Sequence, residues 1–280
     1  MNERMRIGVN PTSIGVTPGW WIDAARRLEE AGFDGVYCWD HFTSKGRPET
    51  PVLECWTTLA ATAAVTTRIR VGSLVTNVMN RHPSVLARML ANVAALAPGR
   101  VDLGIGVGGS PAEAAALGIE FPAIAERVER LEEATAILRA LWTGGPVSFV
   151  GRWHRLTDAY ASPAPDPAPR IIVGGETPAG ARMAARAGDG WTTTGHALPQ
   201  LRSAYEDALQ AAGRRRDEVT VVVAVDLVHD AAPGADPLLA DLRGEAERWR
   251  SLGADELILN WMRPEQLPAV LAAAEAAGLA

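Results

Sequence analysis

Hydrophobic residues along this chain of 280 residues fall into two alternating patterns. Short runs that are apolar at nearly every position are typical of strands covered on both faces. They predict strands at Met5–Asn10, Asp34–Asp40, Arg68–Thr76, Val101–Gly108, Arg170–Gly175, Gly190–Thr194, Val219–Val228 and Glu256–Trp261. Apolar positions three and four residues apart predict helices at Trp20–Ala31, Cys55–Val65, Pro83 to near Pro98, Pro122–Trp142, Pro178–Ala187, Leu198–Ala212, Pro237–Leu252 and Pro264–Ala276.

Eight strands, each followed by a helix, predict an α/β fold with parallel strands and helical crossovers. Eight such units in one unbroken series favour a TIM (β/α)8 barrel, and a doubly wound open sheet is the alternative. Residues Val147–Tyr160 alternate around Gly151 and Arg152, which predicts a short hairpin inserted between helix 4 and strand 5. No linker divides the chain, so we expect one barrel domain over residues 1–280.

Charge and composition narrow the range of partners. The 27 Lys and Arg residues against 33 Asp and Glu residues give a formal charge of −6, so we expect no nucleic-acid or acidic-membrane partner. No apolar stretch approaches the roughly 20 residues that a membrane span needs, and Met1–Arg6 does not resemble a signal peptide. The two cysteines, Cys38 and Cys55, suit a reducing compartment, so we expect a cytoplasmic protein.

Active sites of (β/α)8 barrels lie at the C-terminal ends of the strands. The pair Asp40-His41 ends the second predicted strand, and histidine exchanges a proton near neutral pH. An adjacent carboxylate can orient such a histidine, although adjacent strand residues point to opposite faces. No further ligand at suitable spacing accompanies His41, and no G-x-S-x-G motif is present, so metal and serine-nucleophile chemistry are not predicted.

Glycine-rich segments follow the fourth and fifth predicted barrel strands, at Gly104–Pro111 and Val173–Pro178. Glycine lets a ligand approach the backbone closely, and N–H groups at a helix start favour anions. The two loops together suggest a cofactor that carries a phosphate, whereas either loop alone is explained by turn formation. The first loop lacks the spacing of the dinucleotide fingerprint.

Several motifs in this order resemble the bacterial luciferase-like flavin family, and within it the oxidoreductases that use the deazaflavin F420. The segments are GFDGVYCWDHF, TTLAATAAVTTRIRVGSLV, RHPSVLARML, GRVDLGIGVG, RVERLEEATAILRALWTG and IIVGGETPAGARMAARAGDGW, which span about residues 5–195. The resemblance implies hydride transfer between F420 and a small organic substrate: a carbonyl, an imine or an activated alkene. An FMN-dependent monooxygenase with a separate reductase is the first alternative, and a non-catalytic flavin-binding protein is the second.

The resemblance also implies roles for individual residues. His41 is the expected proton donor and Asp40 a cofactor contact. The end of strand three is expected to carry a non-prolyl cis peptide between Leu74 and Val75 that presses against the cofactor ring. The other expected cofactor contacts, mainly through backbone atoms, are Thr76, Asn77, Val107, Gly108, Gly174, Gly175 and Thr177. The cations Lys45, Arg47 and Arg81 are candidates for the anionic tail of F420.

The chain departs from the sugar-phosphate dehydrogenases of this family at two positions. Those enzymes carry a glutamate after the glycines of strand four, where this chain has Gly109, and a tryptophan after the Asp-His pair, where this chain has Lys45. Both differences argue against a sugar-phosphate substrate. A homodimer and a separate enzyme that supplies reduced cofactor complete the expectations.

Overall fold

The computed structural model describes residues 4–229 and 236–280. Its barrel strands are β1 (Arg6–Pro11), β2 (Gly35–Cys38), β3 (Arg70–Asn77), β4 (Val101–Gly106), β7 (Arg170–Gly174), β8 (Gly190–Thr194), β9 (Thr220–Asp226) and β10 (Glu256–Met262). These eight parallel strands close into a barrel in the order β1-β10-β9-β8-β7-β4-β3-β2, which confirms the predicted (β/α)8 fold.

Helices surround the barrel and bury their apolar faces against it. They are α1 (Pro18–Glu30), α2 (Cys55–Val65), α3 (Pro83–Leu96), α4 (Pro111–Leu117), α5 (Ile124–Leu141), α6 (Pro178–Ala187), α7 (Leu198–Ala211), α8 (Pro237–Ala240), α9 (Leu242–Ser251) and α10 (Leu267–Ala277). Helix α1 shows the local logic: the Thr17 hydroxyl accepts from Trp20 N, and Trp21 and Leu28 face the core. Within the described residues, no helix is both long enough and apolar enough to cross a membrane.

The structure adds one helix to those predicted and divides another. Helix α4 occupies a segment for which the sequence pattern predicts no helix, and α5 begins after it at Ile124. The predicted helix Pro237–Leu252 is broken into α8 and α9. The break lies at Asp241, whose carboxylate accepts from Gly244 N and so caps a new helix start.

The predicted hairpin is confirmed as β5 (Val147–Val150) and β6 (Arg155–Ala159), which pair antiparallel outside the barrel. One carboxylate on α5 holds its turn. Glu133 accepts from Arg152 N at 2.6 Å, from Trp153 N at 3.2 Å and from His154 N at 3.0 Å. It also contacts His154 Nδ1 at 3.0 Å. Together with Glu129, which accepts from Arg152 Nη1 and Trp153 Nε1 at 3.0 Å each, this side chain attaches the insertion to the helical layer.

A cluster of buried ion pairs closes the N-terminal end of the barrel. Asp102 on β4 accepts from Arg70 Nε and from both Arg170 Nε and Nη2, each at 2.8 Å. Arg170 continues to Glu256 on β10, and Glu256 also pairs with Arg6 on β1, each at 2.9 Å. Burial opposes the charge of Asp102, but the hydrogen bonds from the two arginines outweigh it and lower its pKa to about 2.

We expect Asp102→Asn to destabilise the fold by about 3–5 kcal/mol, because it takes the carboxylate partner from Arg70 and leaves Arg170 with Glu256 alone. The native state holds Asp102 ionised below its ordinary pKa. Its contribution is therefore complete above about pH 4 and is lost as the pH falls towards 2. Urea unfolding as a function of pH measures this contribution. Asp217→Asn, at an exposed carboxylate paired with Arg215, is the control and should leave the midpoint unchanged. Equal effects of the two substitutions would contradict a structural role for the cluster.

Candidate active site

The end of β2 is fixed by a buried ion pair. The strand ends at Cys38, and the Asp40 carboxylate then receives Arg81 Nη1 at 2.7 Å and Arg81 Nη2 at 2.8 Å. Asn77 N and Asn80 Nδ2 donate to the same carboxylate at 3.0 and 3.2 Å. Asp40 therefore ties the end of β2 to the segment after β3. Asn80 Nδ2 also donates to Asp40 O at 3.3 Å, so both the side chain and the backbone carbonyl of Asp40 have partners within the protein.

Arg81 is not available for the role that the sequence suggested. Its guanidinium also pairs with Glu54, the N-cap of α2, and only 9% of its side chain is exposed. Because two carboxylates already neutralise Arg81, we do not carry it forward as a candidate for the anionic tail of a cofactor. Lys45 and Arg47 are exposed on the loop between β2 and α2 and remain candidates.

The carboxylate partner of His41 is Glu113, not Asp40. His41 Nδ1 lies 3.0 Å from Glu113 Oε2, and 45% of the His41 side chain is exposed. Glu113 Oε1 accepts from Phe42 N at 2.5 Å and from Thr43 N at 2.8 Å. Burial of Glu113 raises its pKa, but the hydrogen bonds from His41, Thr43 and Phe42 outweigh burial and lower it.

Glu113 was missed by the sequence analysis. The stretch Ser110-Pro111-Ala112-Glu113 has the S-x-x-E spacing that marks a helix start, so α4 was within reach of sequence reasoning. The contact itself was not, because Glu113 and His41 are 72 residues apart and neither neighbourhood indicates the other.

The end of β3 contains the predicted cis peptide between Leu74 and Val75, which is confirmed. The ladder with β4 shifts register between Ser73 and Thr76. A Cβ added at Gly106 would lie 2.9 Å from Val75 Cγ2, and one at Gly174 would lie 3.2 Å from Val75 Cγ1. Glycines on β4 and β7 thus make room for the Val75 side chain.

Thr76, predicted as a cofactor contact, points its side chain away from the barrel mouth. Its hydroxyl accepts from Trp56 Nε1 on α2 at 2.9 Å and donates to Ser73 Oγ at 2.8 Å. Only the backbone of Thr76 is therefore left for such a contact. Asn77 next to it caps the following turn by accepting from Met79 N.

Arg127 fixes the backbone of the loop after β4. Arg127 Nη1 donates to Val107 O and to Gly108 O, each at 2.8 Å. Gly108 has φ +76°, and a Cβ there would overlap the Asn77 amide, so only glycine suits this position. Gly109 beside it is exposed, with open space where a Cβ would stand.

The loop after β7 presents a second glycine edge at the neighbouring strand. Gly175 packs directly on the Gly180 backbone, where a Cβ would lie only 2.7 Å from Gly180 C. The Thr177 hydroxyl accepts from Gly180 N at 3.1 Å and so caps α6. Bare backbone on two adjacent strands, next to a helix N-terminus, fits a cofactor with a phosphate group.

The opposite part of the rim is polar and aromatic. The amides of Asn10 and Asn260 meet at 2.7 Å, and Asn260 Nδ2 donates to Asp226 Oδ1 at 2.6 Å. Trp261 has φ +59°, a conformation rare for a large side chain, and its ring lies 5.5 Å from that of Trp39. This side therefore offers flat aromatic and hydrogen-bonding surfaces.

Comparison with known proteins identifies the family. A family model described as luciferase-like monooxygenase matches residues 5–237. The chain belongs to the luciferase-like monooxygenase family. A relative named F420-dependent glucose-6-phosphate dehydrogenase, from Microbacterium testaceum, is 33% identical over 83% of this chain and 72% of its own length. A protein of the same name from Nakamurella multipartita is 35% identical over 81% of this chain and 68% of its own length.

Two solved structures share the fold. An F420-dependent secondary alcohol dehydrogenase in complex with an F420-acetone adduct superposes with a TM-score of 0.80 at 21% identity, covering 96% of this chain and 99% of that chain. The F420-dependent tetrahydromethanopterin reductase from Methanopyrus kandleri has a TM-score of 0.78 at 16% identity, covering 97% and 98%. At these identities the likeness establishes the barrel architecture.

Arg81→Met should destabilise the protein by about 3–5 kcal/mol, because Asp40 would stay buried without its guanidinium. In the double variant Asp40→Asn/Arg81→Met no charge is left buried at position 40, and Glu54, which also loses Arg81, is 31% exposed, so part of that loss should be recovered. Urea unfolding of both single variants and the double variant gives the coupling energy, which we expect to exceed about 1 kcal/mol. Simple additivity would contradict the assigned pairing.

Proposed function

We propose that this protein is an F420-dependent oxidoreductase that transfers a hydride between the deazaflavin and a small organic substrate. The observation that carries the proposal is the placement of His41. Its half-exposed imidazole stands at the same barrel edge as the two glycine loops after β4 and β7, which suit a phosphate-bearing cofactor. Relatives that are 33–35% identical and named F420-dependent enzymes support the choice of cofactor.

The cofactor would be held mainly by backbone. Val107 and Gly108 on one loop and Gly174, Gly175 and Thr177 on the other would line the ribityl and phosphate portion. Arg127 already occupies the carbonyls of Val107 and Gly108, so their N–H groups are the ones proposed to bind. Gly175 is paired with Thr192 O and Trp191 Nε1 and would contribute close approach of the backbone. Leu74, Val75, Thr76 and Asn77 form the adjacent edge at the end of β3, where the ring would rest, with backbone of Asp40 beside it. Lys45 and Arg47 are the exposed cations proposed for the anionic tail.

F420 supplies or accepts the hydride when it is bound, and the protein handles the accompanying proton. In the reducing direction the carbon of a C=O, C=N or activated C=C bond gains the hydride, and the π electron pair moves to the far atom. A protonated His41 gives its proton to that atom. In the oxidising direction neutral His41 takes the proton from the hydroxyl or amine. No further reactant is needed for the balance.

The proposed substrate is a carbonyl, an imine or an activated alkene, and not a sugar phosphate. At the position where sugar-phosphate dehydrogenases of the family carry a glutamate, Gly109 leaves open space. The rim opposite the glycine loops carries the exposed carboxylate of Asp226 with the indole of Trp261, which does not suit a phosphate dianion. We further propose that the enzyme is a cytoplasmic homodimer and that a separate reductase supplies the reduced cofactor.

We expect F420 to bind at least about tenfold more tightly than FMN. Lys45 and Arg47 can each contribute up to about 1 kcal/mol to an anionic tail that FMN lacks. Anaerobic titration with each cofactor, followed by tryptophan fluorescence, measures both affinities. Lys45→Gln/Arg47→Gln should weaken F420 binding and leave FMN binding unchanged. Equal or reversed affinities in the unmodified protein would favour the FMN-dependent monooxygenase instead.

His41→Ala should lower turnover by roughly 10²-fold or more, since that is the usual scale of a general acid–base contribution. Acetone, 1-pyrroline and 2-cyclohexenone serve as the carbonyl, imine and activated-alkene probes, with reduced F420 as the hydride source. The F420 dissociation constant and the unfolding midpoint should stay unchanged, because His41 is half exposed and packs little. Loss of cofactor binding would make His41 a binding residue, and unchanged turnover would exclude it as the acid.

A further inference from the structure

We propose that Glu113 is a positioning residue that holds the His41 ring with Nδ1 protonated, so that Nε2 is the nitrogen that exchanges protons with the substrate. The inference rests on the proposed role of His41 in hydride transfer. It adds a residue from α4 to a site otherwise built from strand ends.

The hydrogen-bonding groups dictate the tautomer. A carboxylate can only accept, and Glu113 stays ionised at neutral pH because the groups around it lower its pKa. Glu113 Oε2 lies 3.0 Å from His41 Nδ1, so the neutral imidazole must carry its hydrogen on Nδ1. Nε2 then keeps a free lone pair in the neutral ring and carries the transferable proton in the charged ring. One nitrogen therefore serves both directions of the reaction.

The rest of the carboxylate fixes the ring in space. Glu113 Oε1 accepts from Phe42 N and Thr43 N, the two residues that follow His41, and from Thr43 Oγ1 at 3.3 Å. Because the same side chain holds the backbone and the ring, the imidazole cannot turn away without breaking several hydrogen bonds. Only 8% of the Glu113 side chain is exposed, so it acts through His41 and does not reach the substrate itself.

The same arrangement occurs a second time in the chain, away from the barrel mouth. Glu133 binds three consecutive N–H groups of the hairpin turn and His154 Nδ1 at 3.0 Å. The two histidines differ in access: 45% of the His41 side chain is exposed, against 11% for His154. Two glutamates of the chain thus each hold a loop and a histidine. Of the two histidines, His41 is the one that is half exposed at the active-site edge, so we assign a chemical role to that pair. Glu133 is therefore a matched control.

The first experiment reads the tautomer directly. Long-range ¹H–¹⁵N correlation spectra of protein labelled at its five histidines, with the His41 signals assigned through His41→Gln, should show protonated Nδ1 and unprotonated Nε2 in the neutral ring. In Glu113→Gln the amide can donate to Nδ1, and we expect the Nε2–H form to become the major one. An Nε2–H tautomer in the unmodified protein would overturn the proposal, whether or not F420 turnover is observed.

The second experiment measures how the loss of the Glu113 carboxylate changes turnover. Glu113→Gln keeps an oxygen for Phe42 N and Thr43 N, so the unfolding midpoint and the F420 dissociation constant should change little, while kcat with the same probes falls by about 10²-fold. In the His41→Ala background the same substitution should have no further effect, because a residue that acts through His41 has nothing left to position. Glu133→Gln should leave kcat within twofold. Additive losses in the double variant, or equal losses from Glu113→Gln and Glu133→Gln, would mean that Glu113 is only structural.

Failure of the proposed function gives a different result from failure of this inference. A protein without F420-dependent turnover can still show the Nδ1–H tautomer and its reversal in Glu113→Gln. In that case the pairing of His41 with Glu113 would be supported and the proposed hydride transfer would be rejected. If instead the enzyme is active and the His41 tautomer is the same with and without the Glu113 carboxylate, hydride transfer stands and the positioning role of Glu113 falls.

Discussion

The buried pair of Asp40 and Arg81 is the constraint on which the active-site edge depends. Two charges withdrawn from water persist only with close partners, so the ends of β2 and β3 cannot separate without stranding a charge. Arg81 extends this constraint to α2 through Glu54. Three elements are thereby fixed relative to one another at the point where the candidate chemistry lies.

That constraint also explains why His41 turns to α4. Because the Asp40 carboxylate is saturated by Arg81, Asn77 and Asn80, it cannot orient the neighbouring imidazole. The chain leaves the sheet after Cys38, and His41 emerges towards the start of α4, where Glu113 is placed to receive it. Two interactions therefore place His41. The buried Asp40–Arg81 pair fixes the backbone before it, and Glu113 holds its imidazole ring.

The local hydrophobic pattern predicted the barrel architecture, but it did not predict which side chains pair at the candidate active site. The barrel, the hairpin and the boundaries of α2 and α6 follow from periodicity and from proline, threonine and glycine at helix ends, all of which act over a few residues. The pairing of His41 with Glu113 joins residues 72 positions apart, and that of Asp40 with Arg81 joins residues 41 apart. From the sequence alone, Asp40 could orient His41 or point to the opposite face, and only the tertiary structure shows that each side chain has a different partner. At Asp241 the helical spacing of apolar residues continues, but the Asp241 carboxylate caps a new helix start and so divides the segment into α8 and α9.

Both ends of the barrel contain buried ion pairs, but they differ in how much other charge they expose. At the N-terminal end Asp102 and Glu256 are almost fully buried and neutralised by arginines from neighbouring strands, so both carboxylates are already occupied. At the C-terminal end His41, Lys45 and Asp226 are wholly or partly exposed, on loops or strand ends whose backbone is anchored by other residues. A position such as Gly109, which borders open space, can therefore differ from its counterpart in sugar-phosphate dehydrogenases without cost to the core. Apart from its chain neighbours, no atom of the described residues lies within 4 Å of a Cβ placed at Gly109, so a side chain there would change the surface of the barrel mouth and not the packing beneath it.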